Sequence, residues 1–143
     1  MYKFIILFTL FLPNLSQAFI VTDLSGRQVE FNKLPQRIVL SEGRMMYLVM
    51  ALQPKNPGEN ILALAEDMIK ADPDTWKKLT ALHPNILTKP LVTSPGKGQF
   101  EAENVFALDA DLVIFSLNYK SSLQQSETLN RLDALSIPYL FIY

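Results

Sequence analysis

Apolar and polar positions alternate in two regimes along this chain, and the regimes take turns. Phe19 to Thr22 and Gln28 to Phe31 each show a period near two, around an Asp23-Leu24-Ser25-Gly26 turn, which predicts a small β-hairpin. Asn32 to Pro35 breaks the pattern, and a β-branched and apolar run, Ile38-Val39-Leu40, follows from Arg37 as the first core strand. A short polar turn, Ser41-Glu42-Gly43-Arg44, leads into Met45 to Leu52, which is apolar almost all round and reads as a helix.

Gln53 to Asn60, with two prolines and a glycine, is loop chemistry, and Ile61 to Leu64 is the second strand, leaving through Ala65-Glu66-Asp67. Asp72 before Pro73 marks a helix start, with Trp76, Leu79 and Leu82 as its core residues and an end before Pro84. Pro90 to Thr93 is a short third strand, followed by the loop Ser94-Pro95-Gly96-Lys97-Gly98. A helix from Glu101 to about Leu108, a strand at Leu112 to Phe115, one amphipathic helix from Ser122 to Leu135 and a final strand from Pro138 to Tyr143 complete the reading. Strands alternating with helices imply an α/β fold: a mainly parallel open sheet with helices on both faces, preceded by the hairpin. Right-handed crossovers then bring the loops after each strand to one edge, so that 42–44, 66–67, 95–98 and 116–119 face a common crevice.

The first eighteen residues stand apart. Lys3, an unbroken apolar run from Phe4 to Leu12, Pro13, and small residues at Ser16 and Ala18 make a secretory signal peptide, with cleavage expected after Ala18. The run is too short for a membrane span, which needs about 20 apolar residues. Residues 19–143 form one domain in this reading. There is no cysteine, so neither a disulfide framework nor a lipid anchor on an N-terminal cysteine is available. A periplasmic protein results, held together by its packed core.

Charge excludes a further class. Thirteen Lys and Arg against fourteen Asp and Glu, with no basic run, offer nothing to neutralise phosphates, so nucleic acid is not an expected partner. The single histidine, His83, lies at a helix end away from the loop edge, which leaves nucleophilic catalysis without its base and zinc without its ligands. The protein is expected to be no enzyme and to need no metal or cofactor of its own. What the edge does collect is Glu42, Gly43, Arg44, Tyr47, Lys97, Asn118 and Tyr119. Arg44 and Lys97 suit an anionic or carboxylate-bearing ligand, and the tyrosines suit its flat parts. For Glu42-Gly43-Arg44 the alternative is local: a helix-terminal carboxylate, a special backbone angle and a solvated arginine. Glu66 and Asp67 are expected to be solvated loop carboxylates.

The order of these segments carries a resemblance. TDLSGR followed by P-Q-R-I-V, ALDADLVI followed by L-x-x-L-x-I-P, the EGR turn and KADPDTW together resemble the periplasmic substrate-binding proteins of iron-siderophore and vitamin B12 ABC importers, on the iron-complex side. The resemblance covers essentially all of residues 19–143. It implies a binding protein that performs no chemistry on its ligand: a ferric siderophore or related iron complex held in a cleft between two lobes and delivered to an inner-membrane ABC permease. In that frame this chain corresponds to the N-terminal lobe, and the linking helix and C-terminal lobe are expected to be missing. The apolar helix at 45–52 then reads as a surface meant to be covered. A rival reading makes it the docking face of a secreted interaction module that binds a partner or itself.

Overall fold

The computed structural model describes residues 18–98 and 100–143; all but the last residue of the expected signal peptide lies outside the described residues. Five strands, β3 (Ile38–Leu40), β4 (Ile61–Ala65), β5 (Leu91–Val92), β6 (Leu112–Ser116) and β7 (Tyr139–Ile142), form one parallel sheet in the order β5-β4-β3-β6-β7. The chain reverses direction across the sheet between β5 and β6, so the crevice at the carboxyl ends of β3 and β6 is the topological switch point where α/β sheets place ligands. The strands β1 (Phe19–Thr22) and β2 (Gln28–Phe31) form the expected antiparallel hairpin, turning through Gly26 at φ +83°.

Helices cover both faces of the sheet. On one, α4 (Ala102–Ala107), α5 (Lys120–Gln125) and α6 (Thr128–Ala134) bury Val105, Leu123, Leu129 and Leu132 against Val39, Val113, Phe115, Tyr139 and Phe141. On the other, α1 (Met46–Leu52), α2 (Asp67–Ala71) and α3 (Pro73–Leu82) bring Met46, Met68 and Leu79 onto Leu40, Ile61 and Leu64. The hairpin extends this second layer, with Val29 and Phe31 over Leu112, Ile114 and Leu140.

The structure corrects three expectations. The helix predicted from Ser122 to Leu135 is two helices, broken at Glu127, which has a left-handed φ of +60°. In an unbroken helix Leu123 and Leu132 would stand about 180° apart; the break lets both reach the same core. Ser126 stabilises it by donating to the Leu123 carbonyl at 3.2 Å, and Thr128 donates to the Phe100 carbonyl at 3.3 Å. In α3, Asp72 caps as expected by accepting from the Thr75 amide at 3.0 Å, but Leu82 is 76% exposed. Six residues after Trp76 the helix has turned it about 120° off the buried line. The short helix α2, and a 3₁₀ segment at Pro84–Thr88, fill stretches that the periodicity left as loop.

Two of the motifs behind the resemblance prove to be halves of one interlock at the amino end of the sheet, opposite the crevice. Arg37 donates through Nε to the Asp109 carbonyl and through Nη2 to the Leu108 carbonyl, each at 2.6 Å. Asp111 returns the contact, accepting from the amides of Gln36 at 2.9 Å and Arg37 at 2.8 Å. P-Q-R-I-V and ALDADLVI are thus paired for architecture: they set β3 beside β6 and leave the opposite edge for ligand.

Candidate ligand-binding site

Strand β3 ends at Leu40 and the chain turns at once through a 3₁₀ segment, Gly43–Met45, into α1. The turn is tight because Gly43 lies against the end of β4: a Cβ there would sit 2.2 Å from the Ala65 carbonyl oxygen. Asp67, at the start of α2, accepts from the Gly43 amide and holds Arg44 through Nε at 3.1 Å. Arg44 also reaches Glu42 through Nη2 at 3.2 Å. One guanidinium therefore joins two carboxylates that are nearly out of solvent, with 5% of the Glu42 side chain exposed and 12% of that of Asp67, while Arg44 itself is 55% exposed. The bond from Asp67, opposed by burial and reinforced by Glu42, holds the Arg44 pKa above its usual value.

Two phenols complete the group. Tyr119, in the 3₁₀ segment Leu117–Tyr119 after β6, and Tyr143, just past β7, direct their hydroxyls at the two oxygens of Glu42, each at 3.5 Å. Burial, with the Glu42 charge second, pushes the Tyr119 phenol up and raises Tyr143 to about 12. Across the hollow, Tyr47 on α1 donates to Asp72 at 2.6 Å, which raises its own pKa and lowers that of Asp72. The hollow encloses about 610 Å³ and is walled by Glu42, Arg44, Tyr47, Leu48, Asn118 and Tyr119, with Ser116 and Tyr143 at its base.

Five of the seven residues expected at the edge therefore meet in one place: Glu42, Arg44, Tyr47, Asn118 and Tyr119. The other two do not line it. Gly43 is buried, its amide taken up by Asp67, so its part is the close approach of the turn to β4. Lys97 lines a separate depression over β5 with Glu66, Val92 and Thr93. Its loop touches the hollow through Gly96 instead, where a Cβ would lie 2.6 Å from the Tyr119 hydroxyl. Asp67 is no solvated loop carboxylate but the residue that orients Arg44. The signal available for it was its place directly after an apolar strand in a parallel sheet. Tyr143 and Ser116 carried no motif. Glu66 does face solvent, paired with Lys70, which lowers its pKa. Among the described residues no three His, Cys, Asp or Glu side chains gather to hold a metal ion.

No family model and no curated protein matches the sequence. Solved structures do match. The TroA-like periplasmic binding protein FepB from Veillonella parvula aligns with a TM-score of 0.77 at 27% identity, over 86% of this chain and 36% of its own. The iron uptake ABC transporter substrate-binding protein PiuA from Streptococcus pneumoniae aligns at 0.56 and 17%, over 90% of this chain and 38% of its own. The heme-binding protein HmuT aligns at 0.53 and 16%, over 89% and 35%. The chain thus spans little more than a third of the length of these proteins. A parallel sheet ordered β5-β4-β3-β6-β7, layered by helices and a hairpin, and matched along nearly its whole described length, is the fold of a single lobe of the TroA-like periplasmic binding proteins.

Proposed function

We propose that the chain is the N-terminal lobe of a solute-binding protein for an ABC importer that takes up iron complexes, ferric siderophores in the first place. Capture is reversible and involves no bond-making on the ligand. The observation that carries this reading is the hollow at the carboxyl ends of β3 and β6, where Glu42, Arg44, Tyr47, Asn118 and Tyr119 converge on a space large enough for part of a chelate. The names of the structural neighbours, an iron-uptake and a heme-binding protein among them, support iron complexes as the class. The proposed site of action is the periplasm, reached by export with cleavage after Ala18, and the proposed recipient of the ligand is an inner-membrane permease.

One lobe encloses one side of a ligand, so binding by residues 19–143 alone is expected to be weak, with dissociation constants above about 1 μM. Isothermal titration of that protein against ferric hydroxamates, ferric catecholates and heme tests it. Saturable, stoichiometric binding of an iron siderophore, weakened by Tyr119→Ala, is the expected result. No binding by any of them, or binding of heme alone, would refute the siderophore reading.

A second reading rests on a different observation. Tyr47, Leu48 and Leu52 leave an apolar strip of α1 in solvent, Leu52 being 80% exposed. Such a strip suits an interaction module that docks a partner or a second copy. Sedimentation velocity separates the two, since a discrete dimer at micromolar concentration that Leu48→Glu dissolves favours the module.

A further inference from the structure

The sign of the hollow's charge is the reverse of what its arginine suggests. Among the described residues Arg44 is the only basic one lining the hollow, and its guanidinium lies between Glu42 at 3.2 Å and Asp67 at 3.1 Å. Two carboxylates against one guanidinium leave the group with one net negative charge, set in a concave wall where field lines concentrate. Among the described residues no other cation lines the hollow. Lys97 is in the depression over β5, Lys70 is paired with Glu66 outside, and Lys120, next in the chain to Tyr119, is not part of the lining.

The hydroxyl donors point the same way. Both phenols that face the hollow's base are turned onto Glu42, and Ser116 donates to the Tyr143 carbonyl at 3.2 Å, so the hydroxyl donors at the base are engaged within the protein. What remains on offer are the Asn118 amide, the outer N–H groups of Arg44 and three tyrosine rings, from Tyr47, Tyr119 and Tyr143, whose faces attract positive charge and repel negative.

The geometry points to charge selection: this hollow takes neutral or cationic ferric complexes, the trihydroxamate class, and disfavours the trianionic tricatecholates. This rests on the reading of the hollow as an iron-complex site and narrows it. A ferric ion held by three singly charged hydroxamates is neutral, and an ammonium on the chelator makes the complex a cation. Three doubly charged catecholates leave it with three negative charges, set against the net negative charge of the Glu42–Arg44–Asp67 group. Arg44 in this arrangement is a local donor that shapes the turn, not a positive centre for an anion.

The test is calorimetric titration of residues 19–143 at low ionic strength with three probes of similar size: a neutral ferric trihydroxamate, a monocationic one and a trianionic ferric tricatecholate. The hydroxamates are expected to bind about tenfold or more tightly than the tricatecholate, with the gap shrinking as salt is added. Arg44→Gln removes the one cation and should widen the gap, whereas Asp67→Asn removes one anion and keeps an acceptor for the Gly43 amide, and should narrow it. Glu42→Gln gives a second route to the same narrowing should Asp67→Asn fail to fold. Tricatecholate binding as tight as that of the hydroxamates, or a gap that none of the folded variants moves, overturns the charge assignment while leaving iron-complex binding in place. Failure of all three probes to bind overturns the iron-complex reading itself, and this inference with it.

Discussion

A methyl group at Gly43 would collide with the Ala65 carbonyl and crowd the Met68 amide and Asp67. Two of these are backbone and cannot swing aside, so Gly43→Ala is expected to destabilise the protein by about 1–3 kcal/mol. Urea denaturation would measure it, and an unchanged midpoint would mean that the turn does not approach β4 this closely. Tyr143 supplies a pH signature. Its folded pKa of about 12 lies above the ordinary phenol value of 10, so the unfolded chain releases this proton first as pH rises. Its contribution to stability is therefore full below pH 10 and declines through the interval from 10 to 12; Tyr143→Phe should flatten the loss there. The absorbance of ionised tyrosine checks the same number directly, and a phenol titrating at 10 would refute it. At this scale the sequence showed five of the residues that meet in the hollow, misplaced Lys97, missed Ser116 and Tyr143, and gave none of their bonds. Arg44 read as a positive group awaiting an anion because nothing in the linear order says that Asp67, twenty-three positions on, will stand against it.

Elements were legible where one period ran unopposed. The strands β3, β4, β6 and β7 were visible as apolar runs, since cover on both faces leaves little alternation to misread, whereas the two-residue edge strand β5 carried only a weak signal. The helix over Ser122 to Leu135 was misread for the complementary reason. Its leucines satisfy a helical period in either half, and only the place of the core decides that the halves must be re-phased at Glu127. That position has a left-handed backbone which a side chain disfavours. Glu127→Gly is accordingly expected to raise stability by about 0.5–1 kcal/mol, despite adding a glycine between two helices. Thermal unfolding would register a rise of several degrees, and a fall would mean that the Glu127 side chain holds the junction. The helix α1 is the converse case: its all-round apolarity was plain from sequence, and the structure leaves Tyr47, Leu48 and Leu52 uncovered by the sheet layer.

At the scale of the whole molecule, one aspartate ties the amino-terminal hairpin to the last strand. Asp23 accepts from the amides of Ser25 at 2.8 Å, Arg27 at 3.0 Å and Phe141 at 3.1 Å, and Arg27 lies 3.7 Å over the Tyr139 ring. Burial raises the Asp23 pKa, but these hydrogen bonds outweigh it and hold the carboxyl below its ordinary value. With the folded pKa depressed, this stabilisation is present above the unfolded value of 3.8 and is lost as pH falls through the folded one. Asp23→Ala leaves three amides without their acceptor and is expected to cost about 2–4 kcal/mol, read as an earlier urea midpoint; a loss within error would show that water replaces the carboxylate. That TDLSGR is a turn was readable from its residues, but its second office, clasping β7, spans 118 positions and leaves no local trace.

That span has a consequence for the order of events as the chain is made. The hairpin is among the first described residues to emerge from a ribosome, yet its apolar side, Val29 and Phe31, has its seat on Leu112, Ile114 and Leu140. Until Phe141 is out, Asp23 has no strand to clasp and the hairpin no floor. A two-stranded hairpin on its own is marginal in water, and closing a loop of this length comes late in folding. The hairpin and the face of β6 that it covers therefore wait for β7, while β3, β4 and β6 can pair before it is made.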